Sequence, residues 1–291
     1  MSSTDPAVFE EYWSMLLGLA YRILGTRADA EDAVQDTYLK WRSVDHALID
    51  NSGSWLTTAC TRRCIDMLRG AHKQRVEYVG TWLPEPLETP DESPEERADL
   101  ASSLTTAFLL VLERLTPKER AAYLLHEIFD VPYPDIARSL DIEEAACRKL
   151  VSRGRANVDQ SKVRYVPPAA RQEELLTAFS SAIAEGDTTR FAALLSEDIE
   201  LAVDSGGKVP ALLEVLRGKG PVLEFVAKSL RGYWSGFRLD AAPLNGGRGF
   251  VIRSGGGIVA AVSFAFDEAN RATRVFIVRN PEKLARLRSS H

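Results

Sequence analysis

Residues 115–155 read LTPKERAAYLLHEIFDVPYPDIARSLDIEEAACRKLVSRGR. Thr116, Pro117 and Glu119 supply a helix cap, a first-turn proline and an acidic first turn, which open a helix to about Phe129. Pro134 starts a short helix through Leu140, and Glu143 to Asn157 forms another, with Asp141 in the turn between them. That is helix-turn-helix spacing. In the second helix an inner stripe of Ala146, Cys147, Leu150 and Val151 leaves Arg148, Lys149, Ser152, Arg153 and Arg155 available to base edges and phosphates in a major groove. The competing view is a solvated basic helix in an ordinary helical domain; the turn and the preceding helices favour the first.

Working toward the N-terminus, residues 7–24 carry Phe9, Trp13, Leu16, Leu17, Ala20 and Ile23 at close to a 3.6 period, and Gly25 ends the run. From Ala28 to Trp41 the apolar stripe is Ala30, Ala33, Val34, Thr37 and Trp41, while Asp29, Asp32, Asp36 and Lys40 line a separate face. Ser43 to Gly53 is a loop. Ser54 is the expected cap of a third helix to about Arg75, with Leu56, Cys60, Cys64, Met67 and Leu68 inside and Arg62, Asp66, Arg69 and Lys73 outside. Trp13, Trp41 and Trp55 fit core positions better than base-stacking ones.

Between Gly80 and Asp99 lie Pro84, Pro86, Pro90 and Pro94 among Glu85, Glu88, Asp91, Glu92, Glu95, Glu96 and Asp99, the composition of an extended linker. Pro167 and Pro168 mark a second boundary. Two helical stretches (about 170–185 and 188–195) are followed by β-rich runs at Ile199–Val203, Phe237–Ala241, Gly249–Arg253, Ile258–Phe266 and Ala272–Val278, with hairpin signals at Asn245-Gly246-Gly247 and Ser254–Gly257. The expected organisation is therefore 1–78 and 100–163 as two all-α domains joined by the 79–99 linker, then an α+β domain over 168–291 with a curved, mainly antiparallel sheet.

The composition, 45% apolar and 26% charged over 291 residues, is globular and long enough for two or three domains at ~100–200 residues each. No stretch approaches ~18 uninterrupted apolar residues and the acidic N-terminus is unlike a signal peptide, so a cytoplasmic location and no membrane partner are expected. Three cysteines without zinc-site spacing point to reduced, mostly buried thiols. The net charge of −5 divides unevenly: residues 161–291 hold 18 Lys+Arg against 14 Asp+Glu, whereas residues 1–160 hold 18 against 27. Inside the acidic part, Arg62, Arg63, Arg69, Lys73 and Arg75 oppose only Asp66, and Arg148, Lys149, Arg153 and Arg155 have no acid among them. Two small positive faces on an acidic body imply local phosphate contact but weak free-standing DNA affinity.

At this point a resemblance becomes specific. Asp29-Ala30-Glu31-Asp32, Gln35-Asp36, Trp41, Trp55-Leu56 and Ile65-Asp66-Met67-Leu68-Arg69 resemble region 2 of the extracytoplasmic-function (ECF) RNA polymerase sigma factors. Leu115-Thr116-Pro117-Lys118-Glu119-Arg120 and the helix-turn-helix ending Ser152-Arg153-Gly154-Arg155 resemble their region 4. Trp82-Leu83-Pro84-Glu85-Pro86, Asp204-Ser205-Gly206-Gly207-Lys208-Val209 and Asn280-Pro281-Glu282-Lys283-Leu284 resemble signatures of the subgroup with a C-terminal SnoaL-like (NTF2-like) extension.

The resemblance implies an alternative sigma factor that is not an enzyme and needs no cofactor or metal. Its partners would be core RNA polymerase, through the clamp of the largest subunit and the flap of the second largest, and promoter DNA at the minus-ten and minus-thirty-five elements. Asp29, Glu31, Asp32, Gln35 and Asp36 would bind polymerase, since an acidic stripe suits a basic protein surface better than DNA. The 43–53 loop and Arg62, Arg63, Asp66, Arg69, Lys73 and Arg75 would take the minus-ten strand; Arg148, Lys149, Ser152, Arg153 and Arg155 would take the upstream duplex. The three C-terminal signatures would meet one another and act as a regulator in cis, with no separate anti-sigma protein required, Trp82 burying apolar area and Lys208 or Lys283 approaching Glu85.

Asp141 stands where the family's turn commonly has glycine, and Asp tolerates a positive φ. Glu143 stands where a Ser or Thr cap is usual, Ser205 replaces a glycine, and Glu282 replaces an aspartate. His126-Glu127 suggests a metalloprotease helix, but Asp130 occupies the place of the second histidine, so a core-edge histidine is the better reading. Gly206-Gly207 with Lys208 could cradle an anion or simply bend the strand connection. The competing functions are a helix-turn-helix regulator with a ligand-sensing C-terminal domain, or an enzyme fused to a DNA-binding module, for which Asp204, Asp240 and Asp267 are the available acids. Reconstituted transcription separates them.

Overall fold

A computed structural model describes residues 5–89, 101–161 and 165–287. The chain divides into two compact units: residues 1–76 with 111–161, and residues 77–110 with 162–291.

The first unit is helical. Helices α1 (Asp5–Leu24), α2 (Arg27–Arg42) and α3 (Ser52–Val76) precede α4 (Thr106–Leu112), which spans the division, and α5 (Pro117–Glu127), α6 (Tyr133–Leu140) and α7 (Glu144–Ser161) complete it. Gly25 ends α1 at φ +79°, with its N–H donating to the Tyr21 carbonyl. Thr26 caps α2 by accepting from the Asp29 N–H at 3.2 Å. The third helix starts earlier than expected: Asn51, not Ser54, supplies the capping oxygen, and it takes the Ser54 N–H at 2.8 Å. Thr116 and Glu119 form a reciprocal capping box. Asp141 ends α6 at φ +52°, the left-handed turn its short side chain tolerates.

Ala30, Ala33, Val34, Leu56, Cys60, Cys64 and Trp41 are buried, as the periodicity requires, and all three cysteines are free and buried. Burial pushes the Cys64 thiol well above its usual range, so it is protonated and inert. Trp41 stacks on His46 at 4.1 Å and lies 5.4 Å from Trp55, whereas Trp13 is 39% exposed at the rim. The buried face of α7 differs from expectation: Ala146 is exposed, and Cys147 and Val151 are joined by Gly154 and Val158. Gly154 is what brings α7 onto α5, since a Cβ there would come within 2.8 Å of the Tyr123 side chain.

The second unit is α+β. Helices α8 (Ala169–Glu185) and α9 (Thr189–Ala193) lead into β1 (Leu195–Asp204) and β2 (Leu216–Arg217). A helical stretch that the β-rich reading passed over follows, α10 (Lys219–Glu224) continuing through a π-helical segment (Phe225–Leu230) into α11 (Arg231–Trp234). Then come β3 (Arg238–Leu244), β4 (Gly247–Ser254), β5 (Gly257–Phe266), β6 (Ala272–Val278) and the short α12 (Pro281–Leu284). The six strands form one mixed sheet in the order β2-β1-β6-β5-β4-β3, antiparallel except for the β1–β6 pair.

Period-two alternation gives this sheet two apolar faces. Leu201, Val203, Ile252, Val262, Val275 and Ile277 pack on one side with Phe179, Phe191, Val226 and Trp234 from the helices. Ala202, Val251, Ala261, Phe276 and Val278 pack on the other with Leu83, Ala107, Leu284 and Leu287. Residues 77–89 are therefore not a free linker: they pack with the C-terminal sheet. The physical reason is composition: among its prolines and acids the segment carries Leu83, which is wholly buried against the sheet. Leu87 exchanges bonds with Asn245, and Glu88 bridges to Leu244. Linker residues 90–99 lie outside the described residues. No helix of the described residues is long and apolar enough to cross a membrane.

Candidate nucleic-acid interface

On α2 the acidic residues are not equivalent. Asp29 accepts from the Thr26 hydroxyl at 2.5 Å, and Glu31 pairs with Arg27 at 2.8 Å, so both support the helix start. Asp32 and Gln35 are exposed. Asp36 pairs with Arg63 of α3 at 2.7 Å, which joins one residue from each expected interface. On α3, Arg69 pairs with Asp66 at 3.2 Å, and the side chains of Lys73 and Arg75 lie outside the described residues. Loop residues Leu48 to Asn51 line a cleft of about 310 Å³ with Ser54, Trp55, Thr58, Asp135 and Arg138. Leu48, at its edge, is 82% exposed.

Arg62 stands apart from this stripe. Its Nε and Nη2 donate to the Ser139 and Arg138 carbonyls at 2.7 and 2.9 Å, and Thr58 meets the Ser139 hydroxyl at 2.6 Å. These carbonyls belong to the last turn of α6, where donors run short and the Arg138 carbonyl has only a long bond of 3.4 Å from the Asp141 N–H. A corresponding contact runs the other way: Arg120 of α5 donates to the Ile23 carbonyl at the end of α1 (2.6 Å), to the Leu112 carbonyl (2.8 Å) and to Glu113 (2.7 Å). An arginine from each half thus caps a helix of the other. The sequence pointed to neither contact: Arg120 stood only as the last residue of a family motif and Thr58 not at all, because an orphan carbonyl has no sequence signature.

Along α7 the cations are mostly paired. Arg148 bonds Glu144 through Nε (3.1 Å) and Nη2 (2.5 Å), Arg155 bonds Glu127 through the same two nitrogens (3.3 and 2.5 Å), and Arg153 lies 3.8 Å from Glu119. Lys149 and Ser152 are exposed. A phosphate approaching these side chains would have to displace carboxylates, which lowers the net electrostatic gain of any such contact.

In the second unit all three C-terminal signatures converge on one buried carboxylate. Asp204, with no exposed surface, accepts from the Tyr78 hydroxyl (2.5 Å), the Leu83 N–H (2.8 Å), the Gly206 N–H (3.1 Å) and the Lys283 ammonium (2.6 Å). Lys283 also donates to the Leu83 carbonyl at 2.5 Å and sits over the Trp82 ring at 4.4 Å. Asn280 donates to the Tyr78 oxygen at 2.9 Å and caps α12. Lys283 thus goes to Asp204, and Lys208 to Glu282, where an approach to Glu85 was expected. A wholly buried carboxylate has the stronger demand for a cation. Pro84 and Pro86 flank the buried Glu85, and Leu284 belongs to the same buried cluster as Leu83. Val209 is half-buried, and Pro281 is the first residue of α12. The Gly206-Gly207 amides turn back onto Asp204 and Ser205, so the pair is a bend and not an anion cradle. At Gly206 (φ +57°) a Cβ would meet the Asn280 amide at 2.6 Å. Tyr78, one residue inside the expected first domain, was missed. Burial and its bond to Asp204 hold its hydroxyl above the usual range, hence protonated.

An acid-lined helix, a loop cleft with a basic neighbour and a helix-turn-helix in one helical unit, joined to an α+β unit, define a promoter-reading initiation factor. The Sigma-70 region 2 model matches residues 8–74, and the Sigma-70 region 4 model matches residues 105–158. The chain belongs to the ECF RNA polymerase sigma factors: it is 37% identical to the Mycobacterium tuberculosis ECF RNA polymerase sigma factor SigJ over 78% of this chain and 74% of that one. It is also 27% identical to the probable ECF sigma factor SigI of the same species over 99% of this chain and 98% of the relative. The crystal structure of M. tuberculosis SigJ superposes with a TM-score of 0.73 at 31% identity, covering 96% of this chain and 98% of that one. This protein is accordingly an alternative sigma factor, a non-enzymatic protein that binds core RNA polymerase and promoter DNA to direct transcription initiation.

Proposed function

We propose that α2 presents Asp32, Gln35 and Asp36 to the clamp of the polymerase largest subunit, with Asp29 and Glu31 shaping the same helix end. The 43–53 loop and the α3 stripe read the minus-ten strand, and α7 reads the minus-thirty-five duplex, with the flap of the second-largest subunit holding that half of the unit. The exposure of Asp32 and Gln35 on a helix whose other face is fully packed carries the first assignment. Asp32→Lys is expected to reduce holoenzyme assembly at least tenfold, read by co-migration with core polymerase, while the helical signal in circular dichroism is unchanged. Undiminished assembly would move the clamp contact off α2.

The C-terminal unit, a SnoaL-like domain in this reading, controls the sigma helices in cis, without a separate anti-sigma protein. The buried Asp204 centre carries this reading, because it binds residues 78–83 to β1 and α12 through charge-assisted bonds. The packing of Phe179, Phe191, Phe250 and Phe264 between the helices and the sheet favours such a scaffold over a ligand sensor. Trp82→Ala, which strips the aromatic face from Lys283, is expected to change promoter output several-fold in reconstituted transcription with polymerase assembly intact. Output equal to the parent chain on every promoter would remove the cis-regulatory role.

A further inference from the structure

We propose that Tyr133 and Glu144 are positioning residues that hold Arg148 ready to read a guanine edge in the upstream promoter element; this rests on the reading of α7 as the base-contacting helix. The Arg148 guanidinium carbon lies 4.2 Å from the centroid of the Tyr133 ring. The same ring packs on His126 at 4.0 Å with the two planes tilted by 33°, and the His126 Nδ1 is 3.2 Å from the Val131 carbonyl. Tyr133 is therefore a fixed plate, held by α5 and by the first turn of α6.

Glu144 acts on a different edge of the cation. Its Oε1 takes both Nε and Nη2 of Arg148. A guanidinium carries five N–H groups in a rigid plane, so on this side chain, which is more than half exposed, Glu144 leaves the end-on pair, Nη1 and the second hydrogen of Nη2, uncommitted. Two parallel donors at that spacing match N7 and O6 of guanine in the major groove. A stacked and half-bonded arginine has given up its rotamer freedom before DNA arrives, so less is lost at binding. Arg155 is different: Glu127 takes its corresponding edge, and it lies about two turns further along α7, away from the N-terminal end that reads bases, which suits a phosphate.

The test uses the full chain assembled with core polymerase and a panel of promoters in which each upstream base pair is replaced in turn. Arg148→Ala is expected to abolish discrimination of about tenfold or more at one G·C pair. Tyr133→Leu, which keeps bulk but loses the π face, should lose most of that discrimination at the same pair and leave other positions alone. Tyr133→Phe should retain it, Glu144→Ala should reduce it, and the Tyr133→Leu, Arg148→Ala double variant should be no worse than Arg148→Ala. If Tyr133→Leu preserves discrimination at the pair that Arg148→Ala erases, positioning is wrong while base reading stands. If Tyr133→Leu weakens all promoters alike, the ring has a structural role only and the proposal falls. Should Arg148→Ala itself act uniformly, base reading fails and takes the proposal with it.

Discussion

Lys283→Met is expected to cost the C-terminal unit about 3–5 kcal/mol, because it strands a carboxylate that has no exposed surface. The Tyr78, Leu83 and Gly206 donors remain, but none supplies a positive charge. In a unit of this size the loss corresponds to roughly 10 °C in melting temperature. The companion Asp204→Asn, Lys283→Met chain removes both charges and should recover most of it, since the amide oxygen still accepts from the backbone. A single variant that melts with the parent would mean that the ion pair contributes nothing net, and the three signatures would then be held together by the remaining hydrogen bonds and the apolar packing around Leu83.

The second large effect falls in the helical unit. Arg120→Met takes a charged donor from the Ile23 and Leu112 carbonyls and the Glu113 carboxylate, in a place where Arg120 is 3% exposed, although the Leu112 carbonyl keeps the Leu115 N–H at 3.1 Å. Hydrogen bonds to a charged group contribute about 1.5–3 kcal/mol each, so a loss of about 3–5 kcal/mol is expected. Burial pushes the Arg120 guanidinium down to about 9, yet it stays charged at neutral pH, which is what makes these bonds strong. Hydrogen exchange should report the change locally, with lost protection at the end of α1 and in α4 before the rest of the unit. Uniform protection in the variant would show that the two halves are held by packing and not by this arginine.

How much of this was legible depends on the range of the interaction. The helix-turn-helix was readable because its signals are local: Thr116 with Glu119, and Asp141 at φ +52°, lie within a few residues of what they control. The strands were readable for the same reason, yet the helical stretch at Lys219–Glu224 and beyond was missed although Val222, Val226, Leu230 and Trp234 recur every fourth residue. Its glycines and the β-rich surroundings obscured that period. The convergence of the C-terminal signatures was expected from family resemblance, but the identity of the centre was not. Burial of Asp204 depends on strands β1 and β6 lying parallel, which no local pattern encodes. The partners of Arg62, Arg148 and Arg155 were likewise hidden, since a basic stripe reads the same whether its charges face water or carboxylates.

The discontinuous C-terminal unit also has a consequence in time. Leu83 is made about 190 residues before the strand at Ala272–Val278, on whose face it is buried. At about 5–20 residues per second, a ribosome needs roughly 10–40 s to cover that distance. Within this interval the chain of residues 111–161 is finished well before the sheet, and until then residues 77–89 have no sheet to dock on. Each newly made molecule therefore passes through a stage with both sigma regions synthesised and residues 77–89 still without their sheet. The finished C-terminal unit arrives last and captures a segment that has already emerged.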